Sequence, residues 1–273
     1  MNKDKTVIED FGKEWSSFSY SKIDLLKLKE NFDQYFSIFP WDLINNDSSG
    51  FDMGCGTGRW AQFVAPQVKK LYCVEPSRAI DVAKKNLKKF DNIDFLEETT
   101  ETCSIKNNSQ DFGYSLGVLH HIPNTKRAIF DCYLKLKKGA PFLLYLYYDF
   151  ENKPIWFKLI WKVSDIFRKI ISSLPFQIKK IICTFIAYIV YLPLSKISLL
   201  IEAFGADVSN IPLSEYRNKP FYQSKNDALD RFGTRLEKRF SKKEITEMLT
   251  DSGFKDIKFS SNAPYWCVVA IKN

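Results

Sequence analysis

Histidine is almost missing from this chain: its 273 residues contain two, side by side at His120 and His121. Paired cysteines are missing as well. The six cysteines (Cys55, Cys73, Cys103, Cys132, Cys183, Cys267) are dispersed, with no two at metal-ligand spacing, so no bound metal is expected. No secretory leader precedes them, and several sit in apolar runs such as Leu71-Tyr72-Cys73-Val74, so reduced thiols in a cytoplasm are the expectation. There is no repeat array. Nor does any uninterrupted apolar run reach the about 20 residues of a membrane-spanning helix. The longest, Ile181 to Leu192, ends at Pro193 with Lys196 just beyond, which argues against a single-pass span.

What is present describes a folded chain. Hydrophobic residues make up 45% and charged residues 26%, inside the globular range, and the length suits one large domain or one domain carrying an insertion. The net charge of +8 comes mostly from lysines such as Lys84, Lys85, Lys88 and Lys89. A solvated helix face accounts for them most simply; attraction to nucleic acid, a phospholipid surface or a phosphorylated substrate is the other reading.

The segment 1–47 is polar and aromatic, and Ser21 with Asp24 ahead of Leu25, Leu26 and Leu28 suggests a capped helix. From Gly50 short apolar runs alternate with helical stretches. Strands are expected at Gly50–Met53, Lys70–Glu75, Ile93–Leu96, Asp111–Leu116 and Pro141–Tyr148, with helices at Thr57–Pro66, Ser77–Lys89 and Asn124–Lys137. This alternation predicts an α/β fold, a sheet mostly parallel and covered on both faces. Residues 151–235 break the rhythm with an amphipathic stretch, Ile155–Ile171, and the apolar run already noted. Ser241 and Glu244 then form a second capping box, Gly253 ends that helix, and Asp256–Ser260 and Trp266–Ile271 read as two closing strands.

The densest signal is Gly50-Phe51-Asp52-Met53-Gly54-Cys55-Gly56-Thr57-Gly58-Arg59-Trp60, a strand running into a glycine-rich turn and a helix. Alternate glycines let the backbone approach a ligand that a β-carbon would exclude. A dinucleotide fingerprint would carry its third glycine one place later, where Arg59 stands, so a pyrophosphate cofactor is disfavoured. Glu75 follows about 20 residues after Gly54, the spacing at which a carboxylate reaches a ribose.

These residues resemble the first two motifs of class I S-adenosylmethionine-dependent methyltransferases of the small-molecule, methyltransferase-11-like type. Thr99-Thr100-Glu101 looks like the segment that holds adenine in that family, and Asp111 to Ile122, with Leu116 and Gly117, is similar to its fourth-strand motif. The resemblance implies a Rossmann-like doubly wound sheet with an antiparallel last strand, plus a helical insertion. It implies S-adenosyl-L-methionine as cofactor, held by Asp52, Gly54, Cys55, Gly56, Gly58, Glu75, Pro76, Thr100, Glu101, Leu116 and Gly117. It implies four segments: 1–47 as a helical lid, 48–150 as the cofactor core, 151–235 as an insertion, and 236–273 completing the core.

The sulfonium is an activated methyl donor, so in-line alignment of acceptor and methyl can supply most of the rate. His120 or His121, on the rim past the fourth strand, is the candidate general base for a hydroxyl acceptor; pocket shaping is the simpler reading. Trp15, Tyr216, Arg217, Tyr222 and Arg231 are candidate substrate contacts, with ordinary packing as the alternative for each. In the insertion, Lys158, Lys162, Arg168 and Lys169 interleave with Trp156, Ile160, Val163 and Phe167. Such a helix suits a substrate lid, a homodimer core, or peripheral membrane contact through 151–203. A small-molecule acceptor, hydrophobic or linked to glycan or lipid, is the leading expectation. Nucleic acid is not expected, because Leu116-Gly117-Val118-Leu119 stands where base amine methylases carry Asn/Asp-Pro-Pro-aromatic. A non-catalytic binding protein on the same fold is the reading from another class.

Overall fold

A computed structural model describes residues 2–16 and 25–273, without the side chains of residues 11 and 13–16. The expected cap at Ser21 and Asp24 therefore lies outside the described residues, and so does the side chain of Trp15. The chain divides into two compact units, one of residues 1–149 with 236–273 and one of residues 150–235.

In the first unit the short apolar runs form strands: β1 (Ser49–Met53), β2 (Lys70–Val74), β3 (Ile93–Leu96), β4 (Phe112–Leu116) and β5 (Pro141–Tyr145), followed late in the chain by β6 (Phe254–Phe259) and β7 (Cys267–Lys272). They make one seven-stranded sheet in the order β3-β2-β1-β4-β5-β7-β6. The pairs among β1 to β5 are parallel; β7 runs antiparallel to both β5 and β6. The central strands are buried along nearly their whole length, as a sheet covered on both faces requires.

Helices α1 (Lys5–Ser16), α2 (Leu25–Tyr35), α3 (Ala61–Val64), α4 (Ala79–Asn86), α5 (Thr125–Lys135) and α10 (Lys242–Asp251) belong to this unit. Leu28, Phe32, Val64 and Leu87 pack with Tyr114 and Leu143 on one side of the sheet, while Ile129, Cys132, Ile245 and Leu249 pack with Phe51 and Phe142 on the other. Asn124 caps α5 by accepting from the Arg127 amide, and Ser241 and Glu244 cap α10 reciprocally. Gly12 seats α1 against Ser77 and Arg78, at the start of α4.

The second unit is helical: α6 (Ile155–Ser172), α7 (Phe176–Ile186), α8 (Leu192–Ala203) and α9 (Phe221–Gly233). The sequence expectation that Pro193 ends the apolar helix is corrected here. A π turn, Ala187–Tyr191, joins α7 to α8, and Pro193 sits in the first turn of α8, so the helix runs on to Ala203. A proline ring collides with the carbonyl four residues back in a regular helix, and a widened turn just before it relieves that collision.

Candidate cofactor and acceptor site

Strand order reverses beside β1, between β2 and β4, and in open α/β sheets ligands lie at such a crevice, off the carboxyl ends of the strands. The glycine turn leaves β1 there. It is pinned to β2: the amides of Gly54 and Cys55 both donate to the Val74 carbonyl, at 2.8 and 3.0 Å, and Gly58 N–H donates to the Cys55 carbonyl at 2.9 Å. The glycines divide by task. A β-carbon at Gly54 would collide with Val118, and one at Gly58 with Leu87, so these two serve close packing. Gly56 has φ near +54° and, among the described residues, open space where its β-carbon would point. Its bare backbone is the face of the turn that a ligand can approach.

Glu75, at the end of β2, reaches into that space. Its Oε2 accepts from Gly56 N–H at 3.1 Å and its Oε1 from Ser77 N–H at 3.0 Å. Each carboxylate oxygen has a second acceptor site, so both retain capacity for a hydroxyl donor. Burial pushes the Glu75 carboxyl above the usual carboxylate range, against the lowering effect of those two contacts. Asp52 is more extreme: burial pushes it up to about 8, with the Tyr114 hydroxyl acting the other way and neighbouring Glu75 adding to the rise. Among the described residues, neither Asp52 Oδ2 nor the hydroxyl of Thr57, in the turn itself, has a hydrogen-bond partner, although both are buried.

These observations fit the cofactor that the resemblance implies. An open glycine, a carboxylate with spare acceptor sites and an orphaned buried acid stand together, and a ribose diol and a cationic amino-acid moiety are the groups they match. Other expected residues have different places. Cys55 and Leu116 turn their side chains into the core, leaving only backbone for a ligand. Thr100 is buried and faces Asp131 on α5, whose carboxyl burial pushes above the usual carboxylate range, with Arg127 and the Thr100 hydroxyl acting the other way. Glu101 accepts from the backbone amide of Asn2 at 2.7 Å, so the N-terminal segment is tied beside it. Pro76 lines a cleft of about 240 Å³ with Lys3, Lys5, Glu97 and Thr99. Gly117 has φ near +78° and, like Gly56, open surroundings, with Tyr145 as the nearest group at 3.9 Å.

The two histidines are neighbours with opposite assignments. His120 is fully buried, stacks on Tyr147 with ring centroids 3.8 Å apart, and its Nδ1 accepts from Tyr147 N–H at 3.4 Å. Burial, with His121 and Arg239 nearby, holds its pKa well below the ordinary value, so the ring is neutral and carries its proton on Nε2. His121 Nδ1 lies 2.6 Å from the Leu236 carbonyl, which can only accept. That fixes the proton on Nδ1 and leaves the lone pair of a neutral ring on Nε2.

Tyr216, Arg217, Tyr222 and Arg231 all lie in the helical unit and are engaged within it. Tyr216 is buried against Tyr191. Arg217 makes a two-pronged contact with Glu202, at 2.7 Å on each prong. Tyr222 contributes to α9, and Arg231 donates to Ser164 at 3.2 Å while lying over the Trp161 ring. Sequence reasoning missed Thr57, Tyr147 and the pair Arg239–Glu237 (2.9 Å), whose arginine lies over the Tyr147 ring. A hydroxyl inside the glycine turn was a usable signal for Thr57. Nothing local marks Arg239, which reaches Tyr147 from 92 residues away only because Phe240 pairs with Tyr148.

Residues 51–144 match the family model described as a methyltransferase domain. A 46-residue segment is 44% identical to a "probable cobalt-precorrin-6B C(15)-methyltransferase (decarboxylating)" of Archaeoglobus fulgidus, covering 17% of this chain and 28% of that protein. Among solved structures, a SAM-dependent methyltransferase of Thermotoga maritima is similar over 98% of this chain and 99% of its own, with 15% identity and a TM-score of 0.52. A chain from the complex of the Haloferax volcanii Trm112 methyltransferase activator with a methyltransferase is similar over 96% and 97%, with 11% identity and a TM-score of 0.53. At these identities the structural likenesses establish the fold, the Rossmann-like sheet with antiparallel β7.

Proposed function

We propose that this chain, whose residues 51–144 match a methyltransferase domain, is an S-adenosylmethionine-dependent methyltransferase that transfers the methyl group to a small-molecule acceptor whose proton His121 Nε2 removes. The observation that carries the cofactor assignment is the open face of Gly56 beside the Glu75 carboxylate, at the point where strand order reverses. Bound there, S-adenosylmethionine would supply a methyl group already activated by its sulfonium. Glu75 would accept from the ribose hydroxyls, and Gly56 and Gly117 would offer bare backbone to the rest. Asp52, protonated in the resting protein by its burial, would ionise when a cationic group neutralises the pocket.

On the acceptor side the chain supplies orientation and a base. The Leu236 carbonyl holds the His121 ring in one tautomer, and the stacked pair His120 and Tyr147 walls the same rim. Nucleic acid is disfavoured as acceptor by the same Leu116-Gly117-Val118-Leu119 segment, and by a net charge lying mostly outside the sheet-bearing unit.

Titration calorimetry with S-adenosylhomocysteine tests the cofactor assignment. Glu75→Ala is expected to weaken binding about 100-fold or more, the loss of charge-assisted bonds to two hydroxyls. A folded protein that binds nothing would remove the methyl-transfer reading and leave a binding protein on this fold. With an acceptor in hand, His121→Ala is expected to lower kcat by about 10² to 10⁴ for a hydroxyl acceptor, leaving cofactor affinity unchanged. An unchanged kcat would mean that alignment alone drives the transfer.

A further inference from the structure

The helical unit has a small core of Ala187, Tyr191, Tyr216 and Ala228 and leaves most of its large apolar side chains outside. On α6 the outward positions are Ile155, Leu159, Val163, Ile166 and Ile170, and Phe167 beside them, each more than half exposed. The buried positions of the same helix are Arg168, Ile171 and Ser172, and Phe157, Trp161, Ser164 and Asp165 are half-buried. The long helix Phe176–Ala203 repeats the arrangement. Ile181, Phe185, Tyr188, Ile189, Ile197 and Leu200 face outward, while Lys179, Cys183, Ala187, Tyr191, Ser195 and Ser198 face inward.

The inward polar groups are satisfied rather than merely hidden. Arg168, 4% exposed, donates to the carbonyls of Thr234 and Arg235 at 2.9 and 3.2 Å; Lys179, 2% exposed, donates to that of Gly233 at 3.1 Å. Both cations therefore cap the carboxyl end of α9, where the helix dipole favours positive charge. Buried lysine and arginine among exposed isoleucines invert the order that water imposes. It is the order of helices that pack in hydrocarbon, with small and polar residues facing one another and apolar ones facing lipid.

We propose that residues 150–235 form a membrane-inserting element that lies in one leaflet of an anionic bilayer. Charge favours that occupant: 13 of the unit's residues are Lys or Arg and 7 are Asp or Glu, which places +6 of the chain's +8 here. Lys162 and Lys169 are exposed among the apolar side chains of α6. Lysine is depleted at the centre of protein interfaces, so a second copy of the chain is the poorer fit, whereas at a headgroup boundary its stem lies along apolar surface and its ammonium meets lipid phosphate.

Insertion in one leaflet, rather than a crossing, follows from length. Phe176–Ala203 is long and apolar enough to cross a membrane by composition, and its most apolar window is only 22% buried. Its uncharged run, Ile181 to Ser195, spans about 22 Å at ~1.5 Å per residue, short of a hydrocarbon core of about 30 Å.

The test uses the full chain with two sets of vesicles, phosphatidylcholine alone and phosphatidylcholine with phosphatidylglycerol, read by flotation and by quenching of tryptophan fluorescence by brominated lipid. The expected result is co-flotation strongest with the anionic vesicles, persisting when salt is raised after binding, with quenching that Trp156→Phe diminishes. Replacing Phe167 and Phe185 together by Glu is expected to cut partitioning about tenfold or more per side chain, with circular dichroism and S-adenosylhomocysteine affinity unchanged. Three results would overturn the proposal: no flotation of the native chain, flotation that the double variant retains, or a stable dimer in solution that the double variant breaks while vesicles bind neither form. Cofactor affinity is measured separately, so failure here leaves the methyl-transfer reading intact.

Discussion

In the sheet-bearing unit Phe51, Phe112, Phe142 and Leu143 are fully buried and the lysines of α4 face outward; in the helical unit Arg168 and Lys179 are buried and Ile155, Phe185 and Phe204 face outward. Both units use the same local device, an amphipathic helix with a 3.6-residue period. The sheet supplies an apolar surface that each helix of the first unit must cover, so its apolar stripe turns inward. The second unit has no sheet. Its helices meet instead around the polar carboxyl end of α9 and a small cluster of Ala187, Tyr191, Tyr216 and Ala228, and the long apolar stripes are left outside. A hydrophobic stripe thus records that a helix has two faces, and what it packs against decides which one is hidden.

That contrast is breakable at matched positions. Phe142→Glu places a charge in the core between β5 and α10, and the chain is expected not to fold, read as loss of a cooperative thermal transition. Phe185→Glu is the same exchange at a residue 62% exposed, and is expected to change stability by no more than about 0.5 kcal/mol. Equal losses from the two would show that the helical unit buries Phe185 in water. Arg168→Ala comes next. It strips the Thr234 and Arg235 carbonyls of their donor and removes the nearest cation from Asp165, and is expected to cost about 3 kcal/mol in the helical unit alone. Hydrogen exchange checks this, with faster exchange in α6 and α9 and unchanged protection in β1, β4 and β5.

A pH-dependent effect concerns a buried charge in the other unit. Folded Asp52 holds its proton to about pH 8, while unfolded it titrates near 3.8. Between those values the folded chain binds the extra proton, so stability falls as pH rises from about 4 to about 8 and is level above. The raised Glu75 acts in the same direction. Asp52→Asn is expected to flatten this profile and to be more stable than the native chain at pH 8 by on the order of 2 kcal/mol, measured by melting temperature across that range. A profile as steep as the native one would reassign the buried proton.

The glycine turn and the acid that follows it were legible because their signals are local. The turn from Gly54 to Gly58 and the carboxylate at the end of the next strand are set by strand, turn and helix within a short stretch of chain, and Gly56 and Glu75 meet where that spacing put them. Strands were legible too, though Pro141–Tyr148 was read too long: hydrogen bonding to β7 ends at Tyr145. The geometry around the two histidines was not legible. Which histidine keeps its Nε2 lone pair depends on the Leu236 carbonyl, 115 residues along the chain.

The sequence by itself determined the α/β class, the glycine turn, the acid that follows it and the caps of α5 and α10, because each depends on neighbours a few residues apart. Tertiary structure decided where β7 enters the sheet, how Asp52 and His120 came to lose their charge, and why Arg168 and Lys179 lie inside while phenylalanines lie outside. Those outcomes depend on desolvation and on hydrogen bonds between distant segments, and these exist only once the chain has closed on itself.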